Sequence, residues 1–255
     1  MTEPAYSSHS FTAPDGVQLA WHEMGEPDAR PLLLIHGLFS NAFTNWIRYG
    51  HAAKIVATGR RVIMPDLRAH GESGKPHDAA NYPPDILVDD MFALIGELGL
   101  SDYDLGGYSL GARTSVRLVA RGAKPGRLAI CGAGLQGLLG LEGRAGHFRN
   151  ILTNLGTHER GSPEWMAEAF LKTTKGDPQA LLLLLDSFVN IGEAELDAID
   201  MPTLVLTGDE DFDNGSAADL AARLPTSRYV AIPGGHMSAV VKPELGQALA
   251  DFFGK

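Results

Sequence analysis

The 255-residue sequence lacks the features that mark disulfide-bonded, membrane-spanning or nucleic-acid-binding proteins. Its single cysteine, Cys131, excludes an intramolecular disulfide and a cysteine-rich metal site. No apolar run approaches the roughly 18 residues that span a bilayer, and the N-terminal segment lacks a basic and then apolar leader pattern. A net charge of −10 argues against nucleic acid or anionic membranes as partners. We therefore expect a soluble, cytoplasmic protein.

Short apolar runs, each followed by a turn that contains Gly or Pro, are present instead and are typical of buried strands. They cover residues 32–35, 61–64, 128–131, 203–206 and 229–232. Between them apolar residues recur at helical spacing, for example at Leu87, Met91, Leu94 and Leu98. This alternation predicts an α/β fold whose parallel sheet is covered on both faces. Ligands bind beyond the carboxyl ends of the strands in such sheets.

Residues 107–111, with the sequence GYSLG, fit the G-x-S-x-G pattern of a nucleophile elbow. This strand-to-helix turn exposes a serine hydroxyl, and it is too tight for side chains two residues before or after that serine. The pattern alone is weak because the chain contains 30 glycines. An apolar run before it and a helical pattern after it are the expected context, so Ser109 is a candidate nucleophile.

Residues 132–200 break the alternation, since they are rich in helical patterns and contain no convincing strand. Their position after the sixth strand predicts a helical cap over the serine, inserted into a core domain formed by residues 1–131 and 201–255. Most apolar residues of this segment are interpreted as packing of the cap itself. The candidates for lining a substrate pocket are Leu135, Leu138, Phe148, Trp165 and Phe188.

Five motifs in a fixed order carry a resemblance to the α/β-hydrolase superfamily. They are His36-Gly37, residues 66–74 (DLRAHGESG), the elbow, residues 208–211 (GDED) and residues 233–236 (PGGH). The chain resembles a capped, esterase- or lipase-like member over nearly its whole length. The resemblance implies a doubly wound, mostly parallel eight-stranded sheet with a helical cap after the sixth strand. It also implies a catalytic triad in the chain order Ser, Asp, His.

The base of such a triad must take the proton of Ser109 as the hydroxyl attacks. Among nine histidines, the family pattern makes His36 and His70 structural, and His51 is expected on a surface helix. His236, on a Gly-Gly turn at a carboxyl strand end, is left as the base.

The acid of the triad orients the imidazole and stabilises its charged form. Three aspartates compete in one loop. The family position selects Asp211, whereas Asp209 lies too close to the strand end and Asp213 stays open as an alternative.

The oxyanion of an acyl-transfer intermediate needs donors, usually two backbone N–H groups. One is expected from Leu110, directly after the nucleophile, and the other from Leu38, with Phe39 as an alternative. Leu38 and Phe39 are apolar, so they predict an apolar acyl side. Phe39 and Met237 are further candidates for lining the substrate pocket.

The expected activity is hydrolysis of a small, largely apolar carboxylic ester, lactone or thioester through an acyl-enzyme. The expected partner is thus a small-molecule substrate, without nucleic acid, membrane insertion, metal or cofactor. The serine at the elbow differs from the aspartate of haloalkane dehalogenases and epoxide hydrolases. Alternatives on the same fold are a cofactor-free C–C bond hydrolase, a lyase, a perhydrolase and a small-molecule receptor.

Overall fold

The computed structural model describes residues 5–254, apart from the side chains of residues 141–144. Eight strands form one sheet in the order β1-β2-β4-β3-β5-β6-β7-β8. Their bounds are β1 Ser7–Thr12, β2 Gln18–Met24, β3 Pro31–Ile35, β4 Arg61–Pro65, β5 Asp104–Tyr108, β6 Leu128–Cys131, β7 Thr203–Gly208 and β8 Ser227–Ile232. The pairs β1–β2 and β2–β4 are antiparallel, and the other five are parallel. The predicted mostly parallel eight-stranded sheet is confirmed.

The helices follow the strands along the chain. Their bounds are α1 His51–Val56, α2 Ile86–Glu97, α3 Leu110–Ala120, α4 Leu135–Leu139, α5 Leu141–Thr153, α6 Pro163–Thr173, α7 Pro178–Asp186, α8 Glu193–Leu196, α9 Ala217–Arg223, α10 His236–Ala239 and α11 Pro243–Phe253. A π-helical turn covers Phe43–Ile47. Within residues 5–254, no helix is both long and apolar enough to cross a membrane.

Two apolar cores cover the two faces of the sheet. Successive side chains of a strand point to opposite faces, and β3 shows this directly. Leu33 and Ile35 pack in the core that contains α2 and α3, whereas Leu32 and Leu34 pack in the core that contains α1 and α11. Burial of each such side chain contributes about 1.5–3 kcal/mol. The apolar runs at 32–35, 128–131 and 203–206 are therefore strands covered on both sides, whereas the run at 229–232 belongs to β8, a partly exposed strand at the edge of the sheet.

Helices α4–α8 fill the interval between β6 and β7. Their buried residues, including Ile151 and Leu184, join the core that contains α2 and α3. Arg113 of α3 adds a polar connection, since its guanidinium donates to the carbonyls of Leu138, at 2.8 Å, and Val189. The division into a core domain and a cap at 132–200 stays a prediction, and residues 1–4 and 255 of that core lie outside the described residues.

Candidate active site

Ser109 lies on the sharp turn between β5 and α3. Its backbone has φ 55° and ψ −110°, a conformation that residues other than glycine rarely adopt. A Cβ on Gly107 would lie 2.2 Å from the carbonyl carbon of Gly111, and a Cβ on Gly111 would lie 2.1 Å from the carbonyl oxygen of Ile35. The two glycines of the pattern are thus required by close backbone approach, and the turn presents the serine hydroxyl beyond the strand end.

A continuous set of contacts joins Ser109 to a histidine and a carboxylate. His236, at the start of α10, has its Nε2 3.0 Å from Ser109 Oγ. Its Nδ1 lies 2.8 Å from Asp211 Oδ2. The Asp211 side chain has no exposed surface, and the His236 side chain is 15% exposed. A base thus lies within reach of the nucleophile, with an acid behind it.

The three aspartates of the β7–α9 loop have different surroundings. Asp211 faces His236, whereas Asp209 Oδ1 accepts a hydrogen bond from Gly234 N at 2.8 Å and so holds the histidine turn. Asp213 is exposed. The geometry therefore favours Asp211 over both alternatives.

The amides after β3 differ in their partners. Gly37 N–H donates to Asn45 Oδ1 at 3.1 Å, and Phe39 N–H donates to His70 Nε2 at 3.3 Å. Among the described residues, the amides of Gly37 and Phe39 already have acceptors. Of these three consecutive amides, Leu38 N–H is therefore the one that can donate to a substrate oxygen. Leu110 is the first residue of α3, where backbone N–H groups have no partner within the helix. The arrangement supports Leu38 and Leu110 as the oxyanion donors, rather than Phe39.

Two buried histidines stabilise the turn of residues 36–39 after β3, which contains the candidate oxyanion donors and is called the oxyanion turn below. His36 Nδ1 donates to Gly37 O at 2.8 Å, while its Nε2 accepts from Leu67 N at 3.0 Å. His70 Nδ1 donates to Arg68 O at 2.9 Å, and its Nε2 accepts from Phe39 N. Both rings must be neutral to accept these bonds.

Burial lowers the pKa of both rings, and the neighbouring His36 lowers that of His70 further, to about 3. They fit the structural role that the resemblance implies.

Acidification should destabilise the protein through His70. The unfolded chain takes up a proton at this residue near pH 6.5, whereas the folded chain does so only near pH 3. The contribution of the neutral His70 ring to the free energy of unfolding is therefore fully present above pH 6.5. It decreases progressively as the pH falls towards 3. At pH 5 the expected loss is about 2 kcal/mol.

Urea unfolding of wild type and His70→Gln at pH 7.5 and 5.0 measures this effect. Glutamine can accept from Phe39 N but does not titrate, so its variant should lose about 2 kcal/mol less over this interval. Identical pH dependence of the two proteins would refute the assignment.

Asp66 connects the same turn to the end of β4. Its Oδ1 accepts from Ala42 N at 2.8 Å, and its Oδ2 accepts from Glu72 N at 2.7 Å. Burial raises the pKa of this carboxyl, but hydrogen bonds from His22 and from the two amides outweigh burial and bring the pKa down to about 2. Asp66 is therefore an anionic brace at neutral pH.

Two small cavities lie on either side of Ser109, and both include Leu38 in their lining. The first, of about 50 Å³, is mostly apolar and lies between α3, α4 and α5; its lining includes Leu110, Leu138, Phe148 and Phe188. The second, of about 70 Å³, lies beyond the oxyanion turn; its lining includes Asn45, Tyr49, Phe170, His236 and Met237. The nucleophile is thus open to two separate spaces.

Three of the pocket residues expected from the sequence do not line these cavities. Phe39 is buried and packs edge-to-face on Phe148, with ring centroids 5.5 Å apart. Leu135 packs against the core next to α3. Trp165 is 38% exposed on α6. A helical apolar stripe does not reveal which of its residues reaches the serine, because cap packing and pocket lining need the same residue types.

Other residues at the site had no distinguishing signal in the sequence. Tyr108 Oη donates to the carbonyl of His236 at 2.6 Å, and burial raises the Tyr108 pKa well above its usual value. Asn45 accepts a hydrogen bond from Gly37 N in the oxyanion turn. Asn214 donates one to Asp211 within the β7–α9 loop, called the acid loop below. His51, expected at the surface, is fully buried, and its Nε2 donates to Val240 O at 2.6 Å. That expectation was wrong because α1 packs against α11.

Ser109, His236 and Asp211 give the site a candidate nucleophile, a candidate base and a candidate acid. Two other kinds of chemistry would need a reactive thiol or a bound metal ion. Cys131 is buried in β6, and burial raises the pKa of its thiol to about 12. The described part of the chain gathers no group of three His, Cys, Asp or Glu side chains suited to a metal ion.

Comparison with known families decides the classification. The α/β hydrolase family model matches residues 32–246. The chain belongs to the α/β hydrolase family. This match includes the oxyanion turn, the elbow, the acid loop and the turn of residues 233–236 that carries His236.

Individual proteins similar to this α/β hydrolase match less than half of its chain. It is 36% identical over 124 residues to the dihydrolipoyllysine-residue acetyltransferase component of an acetoin cleaving system from Pseudomonas putida, covering 47% of the chain and 31% of that protein. It is 34% identical to Lipase 1 of Psychrobacter immobilis, covering 44% of the chain and 34% of the lipase. The matched segment thus spans about a third of the length of these relatives.

A solved structure of an esterase from Exiguobacterium antarcticum shares the fold at a TM-score of 0.74 and 18% identity, with 96% of this chain and 99% of that chain covered.

Proposed function

We propose that this α/β hydrolase is a serine esterase that acts on a small, largely apolar carboxylic ester, lactone or thioester through an acyl-enzyme. The observation that carries the proposal is the contact series from Ser109 Oγ to His236 Nε2, at 3.0 Å, and from His236 Nδ1 to Asp211 Oδ2, at 2.8 Å. Its similarity to a lipase and to an esterase structure supports the same class of reaction.

The first half of the reaction forms the acyl-enzyme. His236 Nε2 takes the hydroxyl proton while Ser109 Oγ attacks the carbonyl carbon, and Asp211 stabilises the resulting imidazolium. The oxyanion accepts hydrogen bonds from Leu38 N–H and Leu110 N–H. The tetrahedral intermediate collapses, the carbon–oxygen bond to the alcohol breaks, and His236 gives its proton to the leaving oxygen.

The second half releases the acid. Water gives a proton to His236 as it attacks the acyl carbonyl, and the same two amides hold the second oxyanion. The intermediate then expels Ser109 Oγ, which recovers its proton from His236. The cycle consumes one water and returns every residue to its starting state.

The two cavities support a small substrate. Their volumes of about 50 and 70 Å³ are far below the roughly 300–1,000 Å³ of typical ligand pockets. The acyl chain is assigned to the cavity lined by Phe148 and Phe188, and the alcohol portion to the cavity lined by Met237. Larger esters require displacement of the helices above the serine, which supports a lid role for residues 132–200.

Pocket substitutions test this lid. Phe148→Ala and Phe188→Ala enlarge the acyl cavity, so the optimum acyl chain length should increase, with a change of about tenfold or more in the kcat/KM ratio of longer to shorter esters. Trp165→Ala is the matched control, because this aromatic side chain of α6 lines neither cavity.

All three variants should still be labelled at Ser109 by a small phosphonate. Unchanged chain-length preference in the two phenylalanine variants, with labelling retained, would contradict the assignment of the acyl side.

A substrate panel tests the activity itself. We expect steady turnover of p-nitrophenyl acetate, butyrate or octanoate, together with slower or no cleavage of a ring-fission diketone. Cleavage of the diketone alone would favour a C–C bond hydrolase, and phosphonate labelling without turnover of any ester or lactone would favour a receptor.

A further inference from the structure

Asn214 contacts both partners behind the nucleophile. It lies in the β7–α9 loop and is buried, at 4% exposure. Its Nδ2 donates to Asp211 Oδ1 at 2.9 Å, and Asp211 Oδ2 is the oxygen that faces His236. The same Nδ2 lies 2.8 Å from His236 Nδ1. The reverse orientation would place the amide oxygen against the carboxylate, so Nδ2 is the atom that faces this pair.

This amide orients the acid behind the histidine ring. Its hydrogen bond to Asp211 Oδ1 fixes the rotation of the carboxylate, so that Oδ2 faces His236 Nδ1. When Nδ1–H donates to Oδ2, the ring is in the tautomer whose Nε2 can accept the serine proton.

The backbone of Asn214 is held by α4, the first helix of the proposed lid. Its carbonyl accepts from Gly134 N at 3.1 Å and from Gly137 N at 2.9 Å. A Cβ on Gly137 would lie 2.4 Å from this carbonyl oxygen, so the approach requires glycine. Leu135 N and Ser216 O add a third bond at 3.0 Å. The place of the acid loop therefore depends on the first turn of α4.

We propose that Asn214 is a positioning residue of the triad, which orients the Asp211 carboxylate towards His236 Nδ1 and so fixes the tautomer of the ring. The inference rests on the proposed hydrolase function. The lid contributes through α4, because α4 fixes the backbone from which this amide reaches the acid.

The split between kcat and KM with p-nitrophenyl butyrate tests the proposal. Asn214→Leu has a similar volume but no donor, so at pH 8 we expect kcat to fall about tenfold and KM to change less than about threefold. Asn214→Asp places a second carboxylate beside Asp211, and repulsion between the two should lower kcat further. Phe212→Leu is the matched control from the same loop, with a side chain 82% exposed, and should keep the wild-type kcat and KM.

Proton NMR of the His236 Nδ1–H gives a readout without turnover. The resonance is assigned by its loss in His236→Gln, and it should move in Asn214→Leu, because the carboxylate that accepts from Nδ1–H is no longer oriented by the amide. If that variant does not fold, Asn214→Asp decides alone. An unchanged resonance together with an unchanged kcat would overturn the inference. A changed resonance in a protein that hydrolyses no ester would refute the esterase function and leave the positioning role intact.

Discussion

Ser109→Ala is expected to fold normally and to lose roughly four to six orders of magnitude in kcat for p-nitrophenyl esters. The loss is large because His236 and Asp211 act only through the serine hydroxyl, so removal of the nucleophile disables all three. Circular dichroism and thermal unfolding establish the fold, and steady-state assays with a concentrated variant measure the residual rate.

Ser115→Ala is the matched control for this change. Ser115 lies on the same helix, α3, is buried, and donates to Gly111 O at 2.8 Å without contact to His236. We expect this variant to retain activity within about threefold and to remain labelled by a phosphonate. More than about a tenth of the wild-type rate in Ser109→Ala would reject Ser109 as the nucleophile.

Asp211→Asn is expected to reduce kcat by about four orders of magnitude, because the amide cannot hold the His236 tautomer that leaves Nε2 free to accept the serine proton. The variant is isosteric, so the loop should keep its bonds to α4, and the loss should appear in kcat rather than in KM. Parallel assays of the three aspartate variants at pH 7.5 and 9 measure it.

Asp209→Asn and Asp213→Asn are the matched controls, since they make the same change in the same loop. Asp209→Asn retains an acceptor for Gly234 N, and Asp213 is exposed, so both should stay within about tenfold of wild type. An inactive Asp213→Asn beside an active Asp211→Asn would assign the acid to the residue two positions further along.

Much of the fold follows from local sequence features. The runs at 32–35 and 128–131 are strands because they are short, uninterrupted and apolar, as burial on both faces of a sheet requires. Ser109 was found through Gly107 and Gly111, whose spacing reports a turn without room for a Cβ. Such features depend on residues adjacent in the chain, so one sequence is enough to recognise them.

Choices between neighbouring residues depended on the tertiary structure. The resemblance selects Asp211 among three aspartates of one loop, and the direction of the loop after β7 brings that residue to His236. Leu38 and Phe39 differ as candidate oxyanion donors because His70, from a turn after β4, accepts a hydrogen bond from the Phe39 amide. Contacts between residues distant in the chain support these assignments.

The full lining of the pocket and the contacts of Asn214 could not be predicted from the sequence. Phe148 and Trp165 are aromatic residues of the neighbouring helices α5 and α6, yet the first lines the cavity beside Ser109 and the second is 38% exposed. Asn214 acquires its contacts only where the β7–α9 loop meets α4. By itself the sequence indicated the central strands and the elbow, because these depend on local backbone geometry, and the order of the candidate triad followed from the resemblance to the α/β-hydrolase superfamily. The tertiary structure alone decided which side chains meet, because that depends on how separate helices and loops pack.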